Sequence, residues 1–150
     1  MSLLDQINLI EINLYYKYVN VGSGKRLVIL EEEKGKASFE EQKGEDRKAS
    51  DPGVEILETK WSLLTWKEQN EVMNLSSQMV NPQTGERQFN FLAYRDAIIK
   101  RCLKEWNITL NEKPIPVTHE AIDALPGPVV INLYQKFEVL NDYTEQELGN

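Results

Sequence analysis

One cysteine, one histidine and a deficit of basic side chains are the first things the chain is short of, and each shortage removes a class of function. With Cys102 alone there is no partner for an intramolecular disulfide and no cysteine cluster to hold zinc. Cys102 also falls within an apolar helical stripe, where a free thiol behaves as a small hydrophobe. With His119 the sole imidazole, neither a His-x-x-x-His zinc pair nor a two-His facial site can be assembled. Beside Thr118 it reads as a solvated residue of a helix cap, not as a ligand or general base. Lys and Arg number 17 against 24 Asp and Glu, for a net charge of −7. That field repels a phosphate backbone, so no nucleic acid is expected as a partner. No apolar run reaches the roughly 18 residues of a membrane span, and the first residues lack the basic flank and apolar stretch of a secretory signal. No membrane partner and a cytoplasmic location are expected.

Motifs for chemistry are equally scarce. Gly22-Ser23-Gly24-Lys25-Arg26 has the outline of a phosphate loop, but the motif needs a glycine where Val19 stands and a hydroxyl where Arg26 stands. A hairpin turn is the better reading. Glu31-Glu32-Glu33 has no Asp-x-Asp-x-Asp-Gly loop beside it and reads as a charged strand end, not a calcium cup. The other carboxylates sit where solvated faces and helix starts would put them. A paired-carboxylate hydrolase therefore has no positive support, and the expectation is a protein without catalytic residues, metal or cofactor.

What is present suffices for one compact domain: 150 residues, 41% hydrophobic and 27% charged. Residues 7–19 place Ile10, Ile12, Leu14, Tyr16 and Tyr18 on one face of an extended strand, with a helix over 3–18 as the competing reading. Arg26 to Leu30 returns after the glycine turn, which predicts a hairpin. Residues 34–53 are half charged and offer little but Ala37, Phe39 and Ala49 to a core, so a flexible linker or loop is expected.

Residues 54–61 alternate as a strand would. Thr65 and Glu68 then form a Thr-x-x-Glu capping box opening a helix with Val72, Met73, Ser76, Met79 and Val80 on one side, ending at Asn81-Pro82-Gln83-Thr84-Gly85. A second helix is predicted from about Asn90 to Trp106, its stripe made of Phe91, Leu92, Ile98, Ile99, Cys102, Leu103 and Trp106. Residues 107–116 read as an irregular or extended connection. Thr118 caps a short helix, and Pro128 opens a final one carrying Val130, Leu133, Phe137 and Leu140.

The expected architecture is mainly α (α+β). It comprises an N-terminal β-hairpin or extended arm (1–33), the charged linker (34–53), a domain of three to four helices (54–142) and a tail (143–150). The interior is the default place for large aromatics, but any that face outward would anchor a protein interface. The partner-binding candidates are Trp61, Trp66, Phe89, Trp106 and Phe137.

The segment 63–138 resembles the tail assembly chaperones of tailed bacteriophages and related small tail or baseplate proteins. The resemblance rests on Leu63-Leu64-Thr65-Trp66-Lys67-Glu68-Gln69-Asn70-Glu71, the turn Asn81-Pro82-Gln83-Thr84-Gly85, and Tyr94-Arg95 followed by Ile99 to Trp106. It continues through Pro114-Ile115-Pro116-Val117-Thr118 and Ile122-Asp123-Ala124-Leu125-Pro126, and closes on an amphipathic helix near Tyr134 to Glu138. These are packing, capping and turn residues, and the first 53 residues depart from the pattern. The resemblance implies a helical adaptor, working in the host cytoplasm during assembly, that keeps the tape measure protein soluble and recruits tail tube subunits. The alternative it implies is a component retained in the virion, in the baseplate, neck or tail, whose N-terminal β element binds a neighbour by strand addition. An oligomer is compatible with either.

Overall fold

The computed structural model describes residues 9–43 and 53–141. Strands β1 (Ile10–Val21) and β2 (Gly24–Leu30) form the expected hairpin, closed by Gly22 and Ser23, with Gly22 at φ 61°. The helical alternative for residues 3–18 is displaced by strand from Ile10 onward, and residues 1–8 lie outside the described residues. Helix α1 (Glu32–Lys43) follows. After it come β3 (Glu55–Trp61), α2 (Trp66–Ser76), β4 (Ser77–Asn81), β5 (Glu86–Phe89), α3 (Phe91–Cys102) and β6 (Leu103–Trp106). A small hairpin, β7 (Thr109–Leu110) and β8 (Lys113–Pro114), leads to α4 (His119–Asp123) and α5 (Gly127–Asn141). The tail expected at 143–150 lies outside the described residues.

The expectation of a mainly helical domain is overturned. Among the described residues helix accounts for 43% and strand for 35%, and the organising element is a four-stranded antiparallel sheet ordered β2-β1-β3-β6. The fold is mixed α/β. Three segments carry the correction. Leu103 and Trp106 continue the helical spacing of the residues before them, yet Thr59 pairs with Trp106 and Trp61 with Leu103 in the sheet, so ladder bonds prevail over the local period. Met79 and Val80 likewise leave the helix and enter the β4–β5 hairpin. The connection expected at 107–116 contains β7 and β8, whose turn holds Asn111 and Glu112 at φ 53° and 66°.

Residues 34–43, expected to be flexible, together with Glu32 and Glu33, expected at a charged strand end, are helix α1. Glu32 and Glu33 occupy its first turn, where negative charge suits the helix dipole. Its contact with the sheet is a narrow stripe at i, i+3 and i+4: Gly35, Ser38 and Phe39. Phe39 packs on Tyr15 with ring centroids 6.1 Å apart. Gly35 is the closest point of approach, since a Cβ there would collide with Tyr15 Cβ and lie 2.8 Å from its Cγ. So few apolar residues suffice because a missing side chain, not a large one, makes the fit.

The core lies on the opposite face of the sheet. Ile12, Leu14, Leu57 and Trp61 point from the strands into a cluster completed by Val72 of α2, Ile98, Ile99 and Cys102 of α3, Ile122 of α4, and Leu133 and Phe137 of α5. The predicted capping box is in place: Thr65 Oγ1 accepts from Glu68 N at 3.2 Å, and Thr65 N donates to Glu68 Oε1 at 3.1 Å. Thr118 Oγ1 caps α4 by accepting from Ala121 N at 3.1 Å.

Two substitutions test this account by chemical denaturation. Thr65→Ala is expected to cost about 1 kcal/mol, the usual scale for a lost cap, and an unchanged midpoint contradicts the cap's role. Gly35→Ala is expected to cost roughly 1–3 kcal/mol by overpacking against Tyr15, whereas a stabilised variant would show that α1 does not dock there.

Candidate functional site

Between β3 and β6, adjacent strands of one sheet, the chain makes a long excursion, residues 62–102, as helix, hairpin, helix. Its base is well anchored. Arg101 Nη1 meets Glu71 Oε2 at 2.6 Å and ties α3 to α2, while Lys100 Nζ lies 3.0 Å from Asp123 and 3.2 Å from Asp96, reaching α4. The carboxylates beside Lys100, Asp123 foremost, raise its pKa. The backbone amide of Thr65 holds that of Glu68 below the usual carboxylate value.

The tip is different. Ser76 ends α2 with its hydroxyl donating to Val72 O at 2.7 Å, and the Asn90 amide donates to Ser76 O at 2.7 Å, closing the neck of the hairpin. Asn90 then caps α3, its Oδ1 accepting from Ala93 N. Arg87 clamps the two strands by donating from Nε to Ser77 Oγ at 2.8 Å and from Nη2 to Ser77 O at 2.6 Å. At the far end the Asn81 side chain accepts from Gln83 N, and Gly85 takes φ 73°. The backbone of the hairpin is thus well specified, but its side chains are not buried. Every residue of β5 is exposed, as are Gln78, Met79 and Val80 of β4.

Among the exposed residues, beside Gln78, Glu86, Arg87 and Gln88, are the apolar Met79, Val80 and Phe89. Val80 and Phe89 continue onto Phe91 and Leu92 at the start of α3, with Leu92 64% exposed, and Met73 and Leu75 are exposed on α2. Val80, Phe89, Phe91 and Leu92 line one shallow groove of about 300 Å³, whose remaining walls are the uncharged Gln78, Gln88 and Asn90. Arg95 lies over the Phe91 ring, 5.7 Å from its centroid, and Phe89 leans on Tyr94 at 5.4 Å.

The five aromatic candidates divide. Trp61 and Phe137 are core residues, fully buried and stacked with centroids 4.8 Å apart. Trp106 is half-buried and its Nε1 donates to Ile115 O at 2.6 Å, a structural tie. Phe89 is 51% exposed and Trp66, the first residue of α2, is 79% exposed. The helical spacing placed Met73, Met79, Val80, Phe91 and Leu92 on apolar stripes and did not disclose that they are exposed. The available signal was the turn Asn81 to Gly85 flanked by two short stretches, which is hairpin spacing.

His119 is exposed at the first position of α4, and Glu32 and Glu33 belong to the first turn of α1. An open hollow of about 600 Å³ beside β6 is lined by both signs of charge, among them Lys60 and Glu105, which approach to 3.7 Å. Among the described residues no group of three or more His, Cys, Asp or Glu side chains is arranged to hold a metal ion. Comparison with known protein families, with curated proteins and with solved structures gave no match.

Burial pushes the Cys102 thiol up to about 12 from 9.0, so it is a poor nucleophile. The folded state therefore holds that proton more tightly than the unfolded chain. The resulting stability is complete below pH 9 and is lost as pH rises toward 12. Burial raises Tyr16 and Tyr134 as well, from 10.0, with the same sign. Urea midpoints are expected to fall above pH 9, and Cys102→Ala is expected to flatten the slope between pH 9 and 10, before the tyrosines contribute. An equal slope in both proteins shows that the thiol proton is not linked to folding.

Proposed function

We propose that the chain is a non-catalytic protein-binding adaptor whose client contact is the α2–β4–β5–α3 excursion. The observation that carries this reading is the projecting hairpin with Met79, Val80 and Phe89 in solvent. A two-stranded hairpin without a packed face is marginal in water, and a continuous exposed apolar patch is the mark of a protein-interaction surface. The rim of uncharged amides around the groove suits an apolar helix face better than a charged peptide.

Joined to the resemblance of residues 63–138, this supports a tail assembly chaperone of a tailed bacteriophage, binding the tape measure protein and tail tube subunits in the host cytoplasm. The mixed α/β fold changes the expected shape of the adaptor, not the logic: α2 and α3 still flank the docking surface, now rooted in a sheet. The alternative, a retained baseplate, neck or tail component, uses the same surface for a permanent contact.

Co-expression with the tape measure protein of the same genome is expected to raise that protein's solubility and to yield a co-purifying complex. Val80→Asp combined with Phe89→Asp is expected to abolish both effects while the circular dichroism spectrum stays unchanged. Unaltered solubility and no complex overturn the chaperone reading, and stoichiometric recovery of the protein from purified virions replaces it with the structural one.

A further inference from the structure

The two edges of the four-stranded sheet are built differently. At the β6 edge, pairing with β3 lasts only a few residues, is interrupted by a register shift between Lys60 and Trp61, and carries the exposed charges Lys104 and Glu105. Just beyond it, the Asn107 carboxamide takes the place of a further peptide unit: Oδ1 accepts from Glu58 N at 2.9 Å and Nδ2 donates to Ile56 O at 3.0 Å. Bulges, short length and charge are the devices by which proteins blunt a sheet edge.

The β2 edge has none of them along its apolar stretch. Its pairing with β1 runs unbroken from Val21↔Gly24 to Tyr15↔Leu30, without bulge or proline, and Leu27 to Leu30 are uncharged and half-buried. Among the described residues no strand lies on its outer side, so alternate residues turn their N–H and C=O groups away from the sheet. Apart from water, only another extended backbone satisfies such a row in register.

We infer that the occupant is the β2 strand of a second copy, joined antiparallel about a two-fold axis at Val28 so that the two sheets become one. The charge order decides for self-pairing. Lys25 and Arg26 precede the apolar run and Glu31 and Glu32 follow it, so antiparallel pairing brings basic end to acidic end, whereas parallel pairing sets like against like. With Val28 opposite Val28, Lys25 stands opposite Glu31 at both ends of the ladder. Leu27 stands opposite Ile29, and both already pack against the core cluster. A slip of one residue would set core-facing side chains against outward-facing ones. Lys25 and Glu31 are exposed, and neither takes part in an ion pair among the described residues. Their charges are available to a partner.

The full chain in analytical ultracentrifugation is expected to show a concentration-dependent monomer–dimer equilibrium. Lys25→Glu and Glu31→Lys are each expected to raise the dissociation constant about tenfold, because two symmetry-related cross-strand pairs turn repulsive at once. The double swap is expected to restore it. Val28→Cys is expected to form an intersubunit disulfide under mild oxidation, with Cys102 too deeply buried to compete. A monomer at every concentration overturns the inference, even if the edge accepts a strand from some other protein. So does a dimer that is indifferent to the charge reversals and gives no disulfide with Val28→Cys, which would place the contact elsewhere, for instance on the β4–β5 hairpin.

Discussion

The indole of Trp61 is the piece on which the packing of sheet and helices depends. It sits at the end of β3, fully buried, between Ile10 of β1 on one side and Leu103 of β6 on the other. Its ring stacks on Phe137 of α5, and its Nε1 donates to Thr59 Oγ1 at 2.7 Å, while the Thr59 hydroxyl donates to Ile12 O at 2.6 Å. Each polar atom of this buried chain is satisfied, so the aromatic brings its full apolar area to the core without leaving an orphaned N–H. Losing a large aromatic from such a place costs roughly 3–5 kcal/mol, a large share of the 5–15 kcal/mol that holds a domain together. Three strands and the longest helix take their relative positions from this one side chain.

That anchorage explains how the chain can carry an unburied hairpin. The excursion leaves β3 just after Trp61 and returns through Leu103, which pairs with Trp61, so both of its feet stand on the same buried residue. The Arg101–Glu71 ion pair and the Lys100–Asp123 contact stiffen the two helices above. Beyond Ser76 and Asn90, order is held by backbone and polar bonds and by the Phe89–Tyr94 ring contact, leaving Met79 and Val80 in solvent. Such a division, a stable base with a polar-pinned tip, keeps the exposed apolar side chains from collapsing onto the core.

The sequence disclosed local features governed by neighbours in the chain and hid those governed by distant ones. The capping box at Thr65, the Gly22-Ser23 turn, the Ile12 and Leu14 face of β1 and the α5 stripe with Leu133 and Phe137 all have causes within a few residues. Strand β6 has its cause in β3, more than forty positions away, and its own residues satisfy a helical period equally well. Helix α1 was illegible for a related reason: a fit made by the missing Cβ of Gly35 leaves no hydrophobic signal. Of the candidate site, Phe89 was legible in advance, but its neighbours on the hairpin were not, and the exposed Trp66 stands at the opposite end of α2. A stripe that looks buried on a helical wheel becomes a surface once the helix ends at Ser76.

The two surfaces ask for different chemistry and lie at opposite ends of the sheet order, which bears on how they could be used together. The excursion springs from the β3–β6 side, while β2 is the outer strand on the other. Pairing through β2 would consume backbone hydrogen bonds and two ion pairs; docking on the hairpin, as proposed, would consume side-chain area from Val80, Phe89 and Leu92. Neither draws on the other's groups, so a two-fold pair would present two client surfaces at once. If the client is a long helical protein with repeated apolar faces, as proposed, the second contact would be intramolecular, and a modest surface on each copy would be enough to hold it while remaining weak enough, singly, to be displaced.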